Sequence, residues 1–205
     1  QMLETFQIDV DFDLDIMKPN QDLRHVTTAA LSGLHDVIGQ VKPDWVIVQG
    51  DTTTTFCGAL AAFYHQISVA HVEAGLRTYN KRQPFPEEIN RRMTGQIADA
   101  HFAPTTLSRD NLLREGVSED AIAVTGNTGI DALFLTLGST PEQATAPGGK
   151  RRLLVTAHRR ENHGKPMERI CRAVLRLVDD FPDLQAFYPV HLSPRVRDVV
   201  LPLLG

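Results

Sequence analysis

Short apolar runs recur along this chain from residue 45 onward, each followed by a polar or glycine-containing turn and then by a stretch with helical periodicity. Strands that alternate with helices in this way predict right-handed βαβ units and a parallel sheet. The runs are apolar throughout, which is typical of parallel strands covered on both faces. They lie at residues 45–49, 67–72, 100–104, 121–125, 152–157 and 184–190. The sequence therefore predicts an α/β fold built on parallel sheets.

The N-terminal part of the chain departs from this repeat. Residues 6–16, FQIDVDFDLDI, alternate between apolar and polar side chains, which predicts an extended segment with one buried face. Residues 22–41 carry apolar side chains at helical spacing. We therefore expect a helix to follow the extended segment.

Residues 138–150, GSTPEQATAPGGK, form the best candidate for a domain boundary, because Gly, Pro, Thr and Ala dominate the segment. We expect an N-terminal domain over residues 1–140 and the start of a second domain over residues 150–205. Only about 55 residues would form that second domain, which is a marginal core for an independent unit. We therefore interpret the chain as an interior segment of a longer two-domain protein.

The composition narrows the classes of partner. The 205 residues are 42% hydrophobic and carry a formal net charge of -4, as in ordinary soluble proteins. An acidic chain has no general attraction for nucleic acid or for an anionic membrane, although a local basic pocket for a phosphorylated ligand is compatible with it. No apolar run approaches the length of a membrane span, and the N-terminus has no signal-peptide pattern. We expect a small-molecule partner, with neither nucleic acid nor a membrane.

The two cysteines, Cys57 and Cys171, are far apart in the sequence. They form neither a CxxC motif nor a Cys/His spacing typical of metal ligands. We therefore expect reduced, packed thiols, no metal site and a cytoplasmic location.

The residues that directly follow the apolar runs are the candidate site residues, because ligands of open parallel sheets bind outside the carboxyl ends of the strands. Titratable or hydrogen-bonding side chains stand at most of these positions, and we expect them to converge on one edge. They are Asp51, Glu73, Arg77, Asn127, Thr128, His158, Arg159, Arg160, Glu161 and His191.

Each of these clusters also has a simpler explanation. Asp51 and the threonines that follow it are favoured N-cap residues, and the glycine of GNTG suits a tight turn with Asn127 or Thr128 as a cap. The basic cluster at residues 158–160 would also fit a solvated surface. Glu87 and Glu88 follow two prolines, where the helix dipole alone stabilises glutamate in a first turn. Unrelated surface residues, however, would not all be expected at the same edge of the sheet.

Missing motifs narrow the chemistry further. The sequence contains no GxxxxGK[ST] phosphate loop, no GxGxxG dinucleotide fingerprint and no GxSxG nucleophile motif. With these motifs excluded, the reactive groups that follow the strands are carboxylates, arginines and histidines. Carboxylates in a shielded cleft can share acid and base roles, while arginines and helix N-termini can hold a diphosphate. This set suits proton abstraction or C–O cleavage on a nucleotide sugar.

Several segments resemble those of the non-hydrolysing UDP-N-acetylglucosamine 2-epimerases in order and spacing, over essentially the whole chain: VQGDTTTT, HVEAGLRT, PFPEEINRR, TGNTGIDAL, TAHRREN and YPVHLSPRVR. The resemblance implies two Rossmann-like domains in the B-type glycosyltransferase arrangement, both incomplete here, with substrate in the cleft between them. It implies interconversion of UDP-N-acetylglucosamine and UDP-N-acetylmannosamine through a 2-acetamidoglucal intermediate, without a nicotinamide or metal cofactor. It also implies a homodimer that supplies N-acetylmannosamine for bacterial surface polysaccharide.

The resemblance also carries over the roles of individual residues. We expect Glu73 and Glu87 to transfer protons on the two faces of the sugar, with Asp51 in support. The catalytic residues that the resemblance implies are Asp51, Glu73, Glu87 and His191. The expected substrate-binding residues are Arg77, Asn127, Arg159 and His191, of which Arg159 and His191 contact the phosphates or the sugar.

Other residues and other activities complete the expectations. We expect Glu88 only to start a helix, and Lys81, Arg82 and Arg92 to face solvent. Open alternatives are a related substrate such as a UDP-2,3-diacetamido uronic acid, a hydrolysing epimerase, and a catalytically silent nucleotide-sugar-binding fragment. The family's Gly-Thr-Arg-Pro-Glu motif and Ser-Gly-Gly loop do not occur in the sequence, so we expect little or no activity from the 205 residues alone.

Overall fold

A computed structural model of the protein describes residues 2–19, 21–139, 149–159 and 162–205. The chain divides into two compact units, Gln1–Leu137 (unit 1) and Gly138–Gly205 (unit 2). The predicted domain boundary lies mostly outside the described residues, and so do Arg160 and Glu161 of the basic cluster.

Unit 1 is organised around a four-stranded sheet in the order β1-β2-β3-β4, and every neighbouring pair is parallel. A short 3₁₀ turn at Glu119–Ala121 precedes the last strand. The strands are β1 (Trp45–Gln49), β2 (Ser68–Val72), β3 (Ala100–Ala103) and β4 (Ile122–Val124). The helices are α1 (Met2–Thr5), α2 (Leu23–Val41), α3 (Thr53–Tyr64), α4 (Glu87–Ile97), α5 (Thr106–Arg114) and α6 (Thr128–Ser139). The predicted parallel α/β fold is confirmed.

Side-chain caps explain where several of these helices begin. Asp22 accepts the His25 N–H at 2.7 Å and starts α2 at the residue after the predicted boundary. Thr52 accepts the Thr55 N–H at 3.1 Å and starts α3 directly after β1. Among the polar residues that follow β1, Thr52 and not Asp51 therefore caps α3.

The two faces of the unit 1 sheet differ in burial. Val48 of β1 is buried, whereas its neighbour Ile47 points to the other face and is 70% exposed. The main apolar core thus lies on the face where α2 and α3 pack against the sheet. Its buried members are Ile38, Val48, Ala59, Ala61, Ala62 and Val69.

Residues 6–16 do not form the predicted segment with one buried face. Ile8, Val10 and Phe12 are 54%, 50% and 44% exposed, and no strand is assigned among residues 6–16. Leu14 is half-buried against α2, where a Cβ added to Gly33 would lie 2.8 Å from its side chain. Alternation alone does not make a strand, because a strand also needs a neighbour that pairs with its backbone.

Unit 2 contains two parallel strands, β5 (Arg151–Leu154) and β6 (Leu184–Phe187). Helices α7 (Lys165–Asp180) and α8 (Pro194–Leu204) pack together through Met167, Cys171, Val196 and Val200. Cys171 in this core and Cys57 in unit 1 are both buried and free, and burial raises the pKa of both thiols.

Candidate active site

Asp51 lies just beyond the carboxyl end of β1, in a turn that hydrogen bonds fix on both sides. Gly50 has a φ of +75°, a conformation that favours glycine, and its N–H donates to Val72 O at 3.0 Å. The hydroxyl of Thr55 donates to Gln49 O at 2.6 Å. The side chain of Asp51 is 31% exposed, so a ligand can reach it.

Glu73 directly follows β2 and has a left-handed backbone conformation, with a φ of +66°. This conformation is uncommon for a residue with a side chain, and at a cost of order 1–3 kcal/mol it often marks a functional position. Asn127 Nδ2 makes a long hydrogen bond of 3.4 Å to Glu73 Oε1. A Cβ added to Gly50 would lie 3.5 Å from Glu73 Oε2. The structure thus brings Glu73 and Asn127 together beside the turn that precedes Asp51.

Glu88, in the first turn of α4, holds the loop that follows β2. Its Oε2 accepts the Thr78 N–H at 2.9 Å, and its Oε1 accepts the Tyr79 N–H at 3.0 Å. Glu88 is 0% exposed. Glu88 stands in the first turn of α4 as expected, and it also has a structural role, because a buried carboxylate with two backbone donors is part of the protein interior.

Two further residues of α4 hold Asp51 from its other side. Asn90 Nδ2 donates to Asp51 O at 3.0 Å, and Arg91 Nη2 lies 3.3 Å from Asp51 Oδ2. Arg91 Nε lies 3.6 Å from Glu88 Oε2, so one guanidinium contacts both carboxylates. Neither Asn90 nor Arg91 is among the residues predicted for the site, although the i,i+3 spacing of Glu88 and Arg91 is a signal for an ion pair.

Glu87 is the first residue of α4, with Pro86 at the N-cap, and it is half-buried. Its backbone carbonyl accepts Arg91 Nε at 3.4 Å. Because Arg91 also contacts the Asp51 carboxylate, one guanidinium joins the side chain of Asp51 to the backbone of Glu87.

Arg77 lies in a different environment from the predicted one. Its side chain is 0% exposed, and its Nη2 and Nε donate to the Glu115 carboxylate at 2.7 and 2.9 Å. Its Nη1 donates to Leu76 O at 2.8 Å. These hydrogen bonds from Arg77 lower the pKa of Glu115. The structure therefore gives Arg77 a structural position, with no exposed surface for the expected contact with substrate.

The predicted residues of unit 2, Arg159 and His191, follow β5 and β6 and are exposed. The imidazole rings of His158 and His191 stack, with centroids 5.3 Å apart and planes inclined by 14°. The Ser193 N–H donates to His191 Nδ1 at 3.0 Å, so the neutral imidazole of His191 carries its proton on Nε2. Nε2 is therefore available as a donor to an anion. His158 stands out in the structure as the ring partner of His191.

A sequence model of the UDP-N-acetylglucosamine 2-epimerase family matches residues 1–205. The chain belongs to the UDP-N-acetylglucosamine 2-epimerase family. It is 56% identical over 200 residues to the UDP-N-acetylglucosamine 2-epimerase of Bacillus subtilis, a match that covers 97% of this chain and 53% of the relative. The chain thus spans about half the length of the curated relatives it matches.

Solved structures of the UDP-N-acetylglucosamine 2-epimerase family show the same fold. The enzyme of Neisseria meningitidis, bound to UDP-GlcNAc, is 48% identical with a TM-score of 0.91, and the match covers 98% of this chain and 57% of that one. The enzyme of Methanocaldococcus jannaschii, in complex with UDP-GlcNAc and UDP, is 33% identical with a TM-score of 0.79, covering 98% and 56%. The predicted family is confirmed, and so is the α/β class with parallel sheets.

In this member of the 2-epimerase family, two buried histidines lie beneath the edge that carries Asp51 and Glu73. His71 of β2 and His101 of β3 are register partners on neighbouring strands. His71 Nε2 lies 2.8 Å from Gly50 O, so it donates to that carbonyl. Burial lowers the pKa of both imidazoles, that of His101 to about 4. Both rings are therefore neutral near pH 7, and His71 supports the turn that positions Asp51.

The described part of the 2-epimerase chain has neither a cluster of metal-binding side chains nor a helix suited to a membrane. Among residues 2–19, 21–139, 149–159 and 162–205, no group of three or more His, Cys, Asp or Glu side chains is arranged to hold a metal ion. In that described part of the chain, no helix combines the length and the apolar character needed to cross a membrane.

Proposed function

We propose that the complete gene product interconverts UDP-N-acetylglucosamine and UDP-N-acetylmannosamine. The family match and the UDP-GlcNAc-bound structure of the Neisseria relative support the substrate class. The observation that carries the reaction type is the placement of carboxylates in unit 1. Asp51 and Glu73 follow neighbouring parallel strands, and Arg91 of α4 joins the Asp51 carboxylate to the backbone carbonyl of Glu87, the first residue of α4.

The reaction begins when a carboxylate removes the proton from C2 of the sugar. The electron pair of the C2–H bond forms a C1=C2 double bond, and the C1–O bond breaks with its electrons leaving on the UDP oxygen. This half-reaction yields UDP and 2-acetamidoglucal. In the second half, a proton is delivered to the opposite face of C2, and the UDP oxygen bonds to C1 again. No net oxidation occurs, so no redox cofactor is required.

Glu73 and Glu87 are the proposed proton-transfer groups, one for each face of C2, and Asp51 supports them. A general acid or base must lie within hydrogen-bond reach of the proton it moves, which a fixed backbone helps to ensure. Asn127, 3.4 Å from Glu73, is a proposed donor to the sugar. Arg159 and His191 of unit 2 are the proposed donors to the diphosphate, because charge-assisted hydrogen bonds suit phosphate oxygens.

The organisation of the protein is part of the proposal. We propose two domains, at residues 1–140 and 150–205. The compact units Gln1–Leu137 and Gly138–Gly205 support this division. The family resemblance suggests a homodimer. Buried free thiols fit a reducing compartment such as the cytoplasm.

The test incubates the complete gene product with UDP-N-acetylglucosamine in deuterated water and follows C2 by NMR. We expect the manno epimer to appear with deuterium at C2. A product that keeps its original C2 proton would contradict the mechanism. Stoichiometric release of UDP with free N-acetylmannosamine would instead indicate a hydrolysing epimerase. Turnover of a UDP-2,3-diacetamido uronic acid alone would move the assignment to that sugar.

A second measurement separates binding from catalysis. Calorimetry with UDP, on the 205-residue chain and on the complete gene product, shows whether each binds the nucleotide. If the complete gene product binds UDP but epimerises none of these sugars, the result favours a catalytically silent nucleotide-sugar-binding role over an enzymatic one.

A further inference from the structure

We propose that Arg91 is a positioning residue that holds the Asp51 carboxylate in place for catalysis and ties it to the loop after β2. The inference rests on the proposed function, because Asp51 has a catalytic role only there. It starts from the burial of Arg91, whose side chain is 8% exposed. Arginine is almost never buried without partners, so its contacts define its role.

The two carboxylates that Arg91 contacts differ in exposure. Arg91 Nη2 lies 3.3 Å from Asp51 Oδ2, and Arg91 Nε lies 3.6 Å from Glu88 Oε2. Glu88 is 0% exposed, whereas Asp51 is 31% exposed. A planar guanidinium presents its donors in a rigid fork. Arg91 is therefore anchored at its Glu88 end and orients Asp51 at its other end, which faces the exposed edge.

Adjacent residues of α4 fix Asp51 in complementary ways. Asn90 Nδ2 donates to the backbone carbonyl of Asp51 at 3.0 Å, and Arg91 contacts its side chain. Loss of the Arg91 guanidinium would leave the backbone of Asp51 held by Asn90 but would free its carboxylate to rotate. We expect such a change to lower the rate of the chemical step more than substrate binding.

The same guanidinium links Asp51 to the loop that follows β2. Glu88, its buried partner, accepts the N–H groups of Thr78 and Tyr79. Arg91 also donates to Glu87 O at 3.4 Å, which keeps it close to the start of α4. The loop and the Asp51 carboxylate are thus joined through a continuous set of contacts.

The test compares Arg91→Met and Arg91→Lys with Arg92→Met in the complete gene product. Arg92 is the matched control, because it follows Arg91 on α4 but its side chain is 46% exposed. Its contact with a carboxylate is long, with 3.8 Å between Arg92 Nε and Glu115 Oε1. We expect Arg91→Met to lower kcat about 100-fold, with KM changed less than about threefold, since small misplacements of a reacting group have this cost. Arg92→Met should keep kcat within about twofold.

Arg91→Lys guards against loss of folding, because lysine keeps the buried charge but cannot fork between two carboxylates. We expect it to fold as the wild type does, by circular dichroism, and to lower kcat by about tenfold with KM again little changed. Normal kcat in folded Arg91→Lys and Arg91→Met would overturn the positioning role. So would a loss that appears equally in Arg92→Met.

A double-mutant cycle with Asp51→Asn asks whether Arg91 acts through Asp51. Deuterium exchange at C2, which is measurable at low turnover, is the readout. If Arg91 positions Asp51, adding Arg91→Met to Asp51→Asn should change the exchange rate less than about threefold. Losses that multiply would overturn the inference. A wild-type protein without epimerase activity would contradict the proposed function instead, and the two failures are thereby distinguished.

Discussion

The predicted site residues of unit 1 and those of unit 2 are held in different ways. In unit 1, Glu88, Asn90 and Arg91 are all buried, and they fix Asp51 and the loop after β2 through polar contacts inside the protein. In unit 2, His158 and His191 are exposed and stack on each other, and a backbone N–H holds one nitrogen of His191. One set of residues is supported from within the protein, and the other lies on its surface.

The difference between the two sets of residues matches what each step of the proposed reaction requires. A group that moves a proton must be held close to its target position by residues that are themselves fixed. A group that binds a diphosphate by charge and hydrogen bonding can adopt its final rotamer when the ligand arrives. We therefore expect changes in unit 1 to affect turnover or stability, and changes at the surface of unit 2 to affect UDP binding.

Replacing a carboxylate of unit 1 has the largest expected effect and tests the comparison most directly. We expect Glu73→Gln and Glu87→Gln each to lower kcat about 1,000-fold, because losing an acid or base typically costs about 100- to 10,000-fold. The affinity for UDP should change less than about threefold, since the proposed diphosphate contacts lie in unit 2. Steady-state kinetics and calorimetry with UDP on the complete gene product measure the two effects.

The control for these variants is Glu168→Gln, an exposed glutamate in the first turn of α7. It should leave both kcat and UDP affinity unchanged. If Glu73→Gln or Glu87→Gln retains more than about a tenth of the wild-type kcat, that glutamate is not a proton-transfer group.

We expect acid to destabilise unit 1 more than unit 2, so the two units can be compared in the wild-type protein without a substitution. Burial keeps His71 and His101 neutral in the folded protein, whereas in the unfolded chain both bind protons below the ordinary histidine pKa of about 6.5. Their contribution to stability is therefore fully present above pH 6.5 and is lost progressively as the pH falls toward about 4, the pKa of folded His101. The share of His101 is roughly 3 kcal/mol.

Hydrogen exchange of the complete gene product, corrected for the pH dependence of intrinsic exchange, checks this prediction. We expect peptides from β2 and β3 to lose protection between about pH 6.5 and about pH 4, with a smaller loss in β5 and β6. His101→Gln should flatten the pH dependence of unit 1, while the control His163→Gln in unit 2 should leave it unchanged. Equal losses of protection in both units would contradict the assignment to the buried histidine pair.

The neighbouring glutamates at the start of α4 give the next prediction. Glu88→Gln removes a negative charge beside Arg91 and leaves one of the Thr78 and Tyr79 N–H groups without an acceptor. We expect it to lower the free energy of unfolding by about 2 kcal/mol, against about 0.5 kcal/mol or less for Glu87→Gln. Urea unfolding of the two variants and the wild type measures this difference. Equal stability of the two variants would mean that burial of Glu88 does not matter.

Local patterns were sufficient to predict most strands and the long helix. The first apolar run, at residues 45–49, coincides with β1. The run predicts the strand because parallel strands covered by helices are built from apolar residues. Residues 6–16 show the limit of this argument. Ile8 and Val10 alternate with aspartates as in a strand, but the pairing of a strand depends on residues elsewhere in the fold.

The candidate site was predictable where topology determines it. Asp51, Glu73 and Asn127 follow parallel strands, and parallel strands present their carboxyl ends at one edge. The roles of Glu88 and Arg77 were not predictable. Arg77 finds its partner Glu115 38 residues away, and a glutamate in a first helical turn is explained equally well by the helix dipole. A sequence gives the charge of a side chain, but the partner that buries it is a property of the tertiary structure.

The smallest expected effect belongs to unit 2. We expect His191→Asn to weaken UDP binding about tenfold, because one hydrogen bond to a charged group is lost and a tenfold change corresponds to about 1.4 kcal/mol. His158→Gln should weaken it about threefold, since the ring stack only orients His191. Thermal unfolding of both variants should match the wild type, as both rings are exposed. Calorimetry with UDP on the complete gene product measures the affinities, with His163→Gln as the control. A His191→Asn variant that binds UDP normally but has lost turnover would contradict the division of roles between the two units. The exposed surface of unit 2 would then supply a catalytic group and not a ligand-binding one.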